Sequence, residues 1–209
     1  GVYPPGSIFK VVTMATGMEK LGMPRGEQFS CAGSFKLPKA PQVWADWKPG
    51  GHGRLNLVQG LSTSCDIVFY TIGQKADAVT GDATLLAEMA RAFGLGQPTG
   101  MAELPDAAGN VPDEAWKMKT FNDVWATGDT INFAIGQGFL LVTPLQMAVI
   151  YTAIANGGTL WTPYLIQRVT LPGGPDIRTA EPKERGRLPI QPPTLAEIKD
   201  GLNAVPTAL

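Results

Sequence analysis

Tyr3-Pro4-Pro5-Gly6-Ser7-Ile8-Phe9-Lys10, running straight into Val11-Val12-Thr13-Met14-Ala15-Thr16-Gly17-Met18, is the stretch on which the reading of this chain turns. Two prolines and a glycine make a rigid turn, after which Ile8, Val11, Val12, Ala15 and Met18 recur at helical spacing. A helix is expected over residues 7–21, stopped by Gly22 and Pro24. Ser7 and Lys10 lie three residues apart and so share a face of that helix. A serine hydroxyl attacks an acyl carbon only when a base takes its proton, and a buried lysine whose amine is largely neutral can be that base. Free N–H groups at a helix N-terminus supply donors where an oxyanion would form. Alone, Ser-x-x-Lys is a weak signal, because a capping serine ahead of a solvated lysine has the same spelling. Pro4-Pro5-Gly6 directly before it adds weight.

Working outward, residues 29–53 turn to glycine, proline and tryptophan, with a short strand expected over 29–37 and then a loop through Trp44-Ala45-Asp46-Trp47 to His52 that is too long for an idle connection. Residues 55–76 return to helical character, interrupted near Gly60 and Ser62-Thr63-Ser64, and 83–93 reads as another helix. Residues 94–132 are expected to be mostly loop, punctuated by Pro98, Pro105, Gly109 and Pro112. Thr143-Pro144-Leu145-Gln146 spells a capping box with proline at the first helical position, opening a helix to Asn156. Extended chain is expected over 159–169, an exposed hairpin or mobile loop over the proline-rich 171–193, and a last helix from Thr194 toward Val205. Residues 1–170 would thus form a core carrying the motifs, with 194–209 as a terminal helix.

Composition bounds the function. The 209 residues are 44% hydrophobic and 17% charged, too apolar for a disordered chain, and a net charge of −1 gives no pull toward nucleic acid or anionic lipid. Twenty-five glycines and eighteen prolines exclude a coiled coil. No run approaches the ~18 apolar residues of a transmembrane helix, and no signal-peptide pattern opens the chain. It reads as a piece of a longer protein, because it opens on Gly1 within a loop and stops just after a helix-like run.

A second cluster, Ser64-Cys65-Asp66, offers a hydroxyl and a carboxylate for a proton relay, or equally a helix cap with a solvated aspartate. With Tyr3 to Lys10, Asn132-Phe133-Ala134-Ile135-Gly136-Gln137-Gly138, Thr143-Pro144-Leu145-Gln146-Met147-Ala148 and Ala155-Asn156-Gly157-Gly158, it makes five motifs in order. Together they resemble the class B penicillin-binding proteins, more narrowly the cell-elongation type, penicillin-binding protein 2. The resemblance implies an α/β (α+β) serine transpeptidase, β-lactamase-like fold, here mostly its helical part with the central sheet largely missing. It implies a D,D-transpeptidase that cross-links peptidoglycan stem peptides and is acylated by β-lactams. Ser7 would be the nucleophile and half of the oxyanion hole, Lys10 the general base, and Ser64 the relay to the leaving amine. Asp66 stands where many relatives carry asparagine; ionised, it accepts but does not donate, and it pairs more strongly with Lys10. The family's Lys-Thr-Gly strand is matched by neither Lys119-Thr120-Phe121 nor Lys199-Asp200-Gly201 and is expected beyond Leu209, so this piece alone should be inactive. A glycosyltransferase of the elongation machinery as partner, and an extracytoplasmic site on the bacterial inner membrane with an N-terminal anchor outside this stretch, are implied likewise. A serine β-lactamase or a non-catalytic β-lactam sensor is the rival reading.

Cys31, Asp46, His52 and Cys65 include both cysteines and the single histidine. Two thiolates, an imidazole and a carboxylate suit tetrahedral zinc, and a Cys31–Cys65 disulfide is the rival. Elongation-type relatives can carry a structural zinc beside the active site, and the spacing here is similar, with Cys31 where an aspartate is expected. Cys65, on a helix, would project about 100° from its neighbours and hold metal behind the cleft.

Overall fold

The computed structural model describes residues 1–38 and 41–208. Its centre is helix α1 (Lys10–Glu19), entered through one 3-10 turn, Gly6–Phe9. The expected single helix therefore begins a turn later than its first residue, because the tighter winding occupies Gly6 to Phe9. From Lys10 to Gly17 every residue of α1 is buried, with Val11, Val12, Met14 and Ala15 fully so. A helix apolar almost all round must be covered all round. Helices α3 (Asp66–Thr80), α4 (Thr84–Ala92) and α8 (Pro192–Ala208) provide the cover. The two threonines in this buried stretch are satisfied, Thr13 Oγ1 donating to Ala134 O at 2.7 Å and Thr16 Oγ1 to Val12 O at 3.0 Å. Each fully buried valine or methionine is worth about 1.5–3 kcal/mol.

Four two-stranded antiparallel pairs decorate these helices; among the described residues no larger sheet forms. The pair β2 (Ser34–Lys36) with β3 (Val43–Ala45) is nested inside the pair β1 (Phe29–Cys31) with β4 (Gly53–Leu55). The strand expected over 29–37 is thus two strands that pair with different partners. After β4, Asn56 caps α2 (Leu57–Ser62) through a reciprocal box with Gln59, and α2 packs on α8. The expected interruption of the 55–76 helix falls at Thr63-Ser64-Cys65, between α2 and α3.

Residues 94–132 contain two helices, α5 (Glu114–Phe121) and α6 (Thr127–Ala134), where loop was expected. Asp113 starts α5 by accepting from Trp116 N, and Asn122, left-handed at φ 52°, ends it. Lys117 then ties α5 to α6, donating to Asp129 Oδ2 at 2.8 Å and pairing with Asp123 Oδ2 at 2.9 Å. Helix α7 (Pro144–Ala155) carries the capping box foreseen, Thr143 Oγ1 accepting from Gln146 N and Gln146 Oε1 from Thr143 N. Beyond it β5 (Thr159–Trp161) pairs with β8 (Glu184–Arg187), and β6 (Arg168–Thr170) pairs with β7 (Asp176–Thr179) as an exposed hairpin. Of the extended run expected over 159–169, only its two ends are strand. Ile198 of α8 belongs to the same apolar core as α1.

Candidate active site

Ser7 is exposed, in the middle of the 3-10 turn. The turn is pinned from outside: Gly6 N donates to Gly136 O at 2.9 Å, and Tyr3 exchanges two backbone hydrogen bonds with Val142. The motif Asn132–Gly138 therefore runs alongside the turn that carries Ser7.

One turn on, Lys10 is buried to 1% of its side-chain surface. Its Nζ donates to Ser64 O at 2.7 Å, Ser64 Oγ at 3.0 Å and Asp66 Oδ1 at 2.6 Å, and lies 5.2 Å from the centre of the Phe69 ring. These bonds use all three donors of an ammonium. The sequence reading joined Lys10 directly to Ser7; the structure spends its hydrogen bonds on the Ser64-Cys65-Asp66 turn, so the proton must leave before Lys10 can act as a base. Burial favours that, pushing the amine below the ordinary lysine value, while the charge and hydrogen bond of Asp66 work against it.

Ser64 is left-handed, φ 54°, a conformation that non-glycine residues rarely adopt. Its N–H goes to Leu61 O and that of Cys65 to Gly60 O, wrapping the turn onto the end of α2. Cys65 is the N-cap of α3 with extended backbone, not a residue inside a helix. Its separation from Ser64 and Asp66 comes from this turn and not from helical projection.

The nested strands bring the remaining cluster together. Cys31 ends β1, Asp46 follows β3 and His52 precedes β4, and one ligand atom from each of the three lies within 4.8 Å of the others. Cys31 Sγ is 3.6 Å from Asp46 Oδ2, and His52 Nε2 is 3.2 Å from Asp46 Oδ1. That Nε2 is buried and makes no hydrogen bond, its approach to Asp46 lacking the alignment one requires. Cys65 is buried against Cys31 and Asp46, and both thiols are free, so no disulfide joins them. Burial first of all, then the neighbouring Cys31, pushes the Cys65 thiol up. The ligand atoms of Cys31, Asp46 and His52 lie close enough to share one ion, and the free Cys65 thiol is buried beside two of them, Cys31 and Asp46, donor types that tetrahedral zinc takes.

Asp46 belongs to both clusters. Its Oδ2 accepts from Asp66 N at 2.8 Å and its Oδ1 from Lys48 N at 3.0 Å. Burial alone would raise its pKa; these backbone donors hold it below the ordinary carboxylate value. Trp47, given no role from the sequence, donates Nε1 to Thr63 O at 3.0 Å beside the same turn.

Residues 1–208 match the family described as penicillin binding protein transpeptidase domain. The peptidoglycan D,D-transpeptidase MrdA of Escherichia coli K12 is 32% identical over 205 residues, covering 98% of this chain and 31% of that protein. PbpA of Mycobacterium tuberculosis, also a peptidoglycan D,D-transpeptidase, is 31% identical over 95% of this chain and 38% of its own. The chain spans about a third of the length of these curated relatives. Among solved structures, Pseudomonas aeruginosa PBP2 in complex with WCK 5153 superposes with a TM-score of 0.82 at 27% identity, over 97% of this chain and 44% of that one. Helicobacter pylori PBP2 in complex with MreC gives 0.78 at 29%, over 98% and 34%. The fold is the helical portion of a serine transpeptidase, as the five motifs implied, and the chain belongs to the penicillin-binding protein transpeptidase family.

Proposed function

We propose that the protein carrying this chain is a peptidoglycan D,D-transpeptidase of the elongation type. Ser7 Oγ attacks the penultimate D-alanine carbonyl of a donor stem peptide, and its proton passes to the neutral Lys10 amine. The oxyanion is met by the Ser7 N–H. Lys10, now charged, returns the proton through Ser64 Oγ to the nitrogen of the departing D-alanine as the C–N bond breaks. Asp66 holds the ammonium meanwhile. An acceptor amine then displaces Ser7 from the acyl-enzyme, and the serine regains its proton. A β-lactam follows the first half of this path and stays attached.

The observation that carries the reading is the Lys10 amine, buried and bonded to both Ser64 and Asp66, one turn from an exposed serine at a pinned helix start. Labelled penicillin and the full-length protein test it. The expected result is a long-lived adduct on Ser7 that Ser7→Ala abolishes. Rapid turnover of the label would make the protein a β-lactamase, and an adduct surviving Ser7→Ala would place the nucleophile elsewhere. Stem peptides are the substrates in this reading, and the site lies on the extracytoplasmic face of the membrane. Among the described residues no helix is long and apolar enough to cross a membrane, so an anchor would belong to another part of the protein. A glycosyltransferase partner is supported by the likeness to a peptidoglycan synthase complex that coordinates polymerisation and crosslinking.

Cys31, Asp46, His52 through Nε2, and Cys65 would hold a structural zinc. These residues come from the nested strands and the N-terminus of α3, and a metal held by them would supply structural stabilisation there. Elemental analysis of the purified protein should find about one zinc per chain, lost in Cys65→Ser. Absence of metal, with Cys31 and Cys65 linked on a non-reducing peptide map, would overturn this assignment.

A further inference from the structure

Trp47 follows Asp46 in the loop between β3 and β4 and is 52% exposed. Two contacts fix an indole that solvent would otherwise leave loose. Nε1 donates to Thr63 O at 3.0 Å, and the ring packs on the His52 imidazole with centroids 5.3 Å apart. Thr63 ends α2, where carbonyls lack helical partners, and it immediately precedes the left-handed Ser64. The turn is gripped at successive points: the carbonyl of Thr63 by Trp47, the carbonyl of Ser64 by Lys10, and the N–H of Asp66 by Asp46. Lys10 and Asp46 hold the side of the turn that follows Ser64. The Thr63–Ser64 peptide is held at its N–H by Leu61 O and at its carbonyl, from the loop, by Trp47, and rotation of that peptide would swing Ser64 Oγ relative to Lys10 Nζ.

We propose that Trp47 is a positioning residue for Ser64, its indole N–H locking the Thr63–Ser64 peptide so that the hydroxyl stays within reach of the Lys10 amine. It acts on Ser64 through the Thr63 carbonyl, and its ring also packs on His52. The idea rests on the transpeptidase reading and concerns the chemical step, not substrate capture.

The test is stopped-flow acylation of the full-length protein by a fluorescent penicillin, separating the dissociation constant of the first complex from the first-order acylation constant. Trp47→Phe keeps a ring against His52 and removes the donor. The acylation constant should fall roughly tenfold, the loss expected for one hydrogen bond, with the dissociation constant unchanged. In a Ser64→Ala background the same substitution should cost nothing further, since there is no hydroxyl left to position. A wild-type acylation constant in Trp47→Phe, or an equal fold loss with and without Ser64, overturns the proposal; the second result would make Trp47 merely a helix cap. Should the phenylalanine variant fail to fold, 3-benzothienylalanine at position 47 keeps the indole's shape without its N–H and gives the same readout. Ser7→Ala run in parallel keeps the two ideas apart: an adduct surviving it removes the transpeptidase reading, whereas its loss alongside a normal Trp47→Phe removes only the positioning role.

Discussion

The turn at residues 63–66 and the hairpin at 165–179 differ in how far their support comes from. In the turn, the N–H groups of Ser64 and Cys65 return to the end of α2, but the carbonyls of Thr63 and Ser64 and the N–H of Asp66 are met from elsewhere in the chain, by Trp47, Lys10 and Asp46. In the hairpin, the β6–β7 ladder, the Thr170–Asp176 hydrogen bond at 2.7 Å and the Arg168–Asp176 pair at 3.7 Å are all internal. Arg178 reaches Glu103 at 3.6 Å, and Leu165, Val169, Leu171 and Ile177 stay exposed. The hairpin could form from its own pattern. The turn, with a serine in a left-handed conformation, exists only once the surrounding fold is assembled, and strain of that kind persists only where its surroundings over-determine it. The residues proposed to carry the chemistry lie in the region that the rest of the molecule enforces.

Breaking that enforcement at its tightest point should have the largest effect. Gly136 has φ 73°, and a Cβ there would meet Gly6 O at 2.3 Å, Gly6 N at 2.8 Å and Phe9 Cβ at 2.8 Å. These atoms belong to the turn that carries Ser7, and none is the yielding end of a side chain. Gly136→Ala should therefore destabilise the protein by about 3 kcal/mol or more and abolish the penicillin adduct. Chemical denaturation and labelling measure the two effects. An alanine variant with wild-type stability would mean that the Gly6 and Gly136 segments can part freely, and the contrast with the hairpin would lose its basis.

What the sequence disclosed divides along the same line. The capping box at Thr143 and the stop at Asn156 were legible because a cap is written within four residues. The break after α2 was legible from Gly60 and the polar triplet after it. Helices α5 and α6 were missed because prolines and a glycine masked a local signal that was present: Asp113 three residues ahead of Trp116, and Asn122 as a left-handed stop. Their other support, Lys117 bridging to Asp129, depends on the fold. At the site, residue types and order pointed to Ser7, Lys10, Ser64 and Asp66, but not to Lys10 spending its donors on Ser64 and Asp66. No periodicity encodes a buried amine meeting a turn more than fifty residues away. Trp47 was illegible for the same reason, since its partner is a backbone carbonyl.

The enforced turn can also be probed through charge. Burial depresses the Lys10 amine and Asp66 opposes that depression. A general base acts unprotonated, so the acylation rate should climb as pH rises through the Lys10 pKa, along a limb lying below the ordinary lysine value of about 10.4. Asp66→Asn removes the opposing charge while keeping an acceptor oxygen. The limb should then move to still lower pH, with a smaller change in the high-pH plateau than Gly136→Ala causes. A pH–rate profile of penicillin acylation reads both. A limb unmoved by Asp66→Asn would assign the titrating base to another group and detach the turn from the proton transfer.

The smallest effect belongs to the hairpin. Ile177 is 63% exposed at a register irregularity in β7, and the whole strand faces solvent. Replacing it with serine gives up little buried area and leaves the ladder intact, so Ile177→Ser in the full-length protein should shift stability by no more than about 0.5 kcal/mol and leave acylation unchanged. Isoleucine burial is worth about 1.5–3 kcal/mol. A loss of that size in denaturant unfolding would mean that the side chain is covered by a surface outside residues 1–209. The hairpin would then be, like the turn, a local structure completed from a distance.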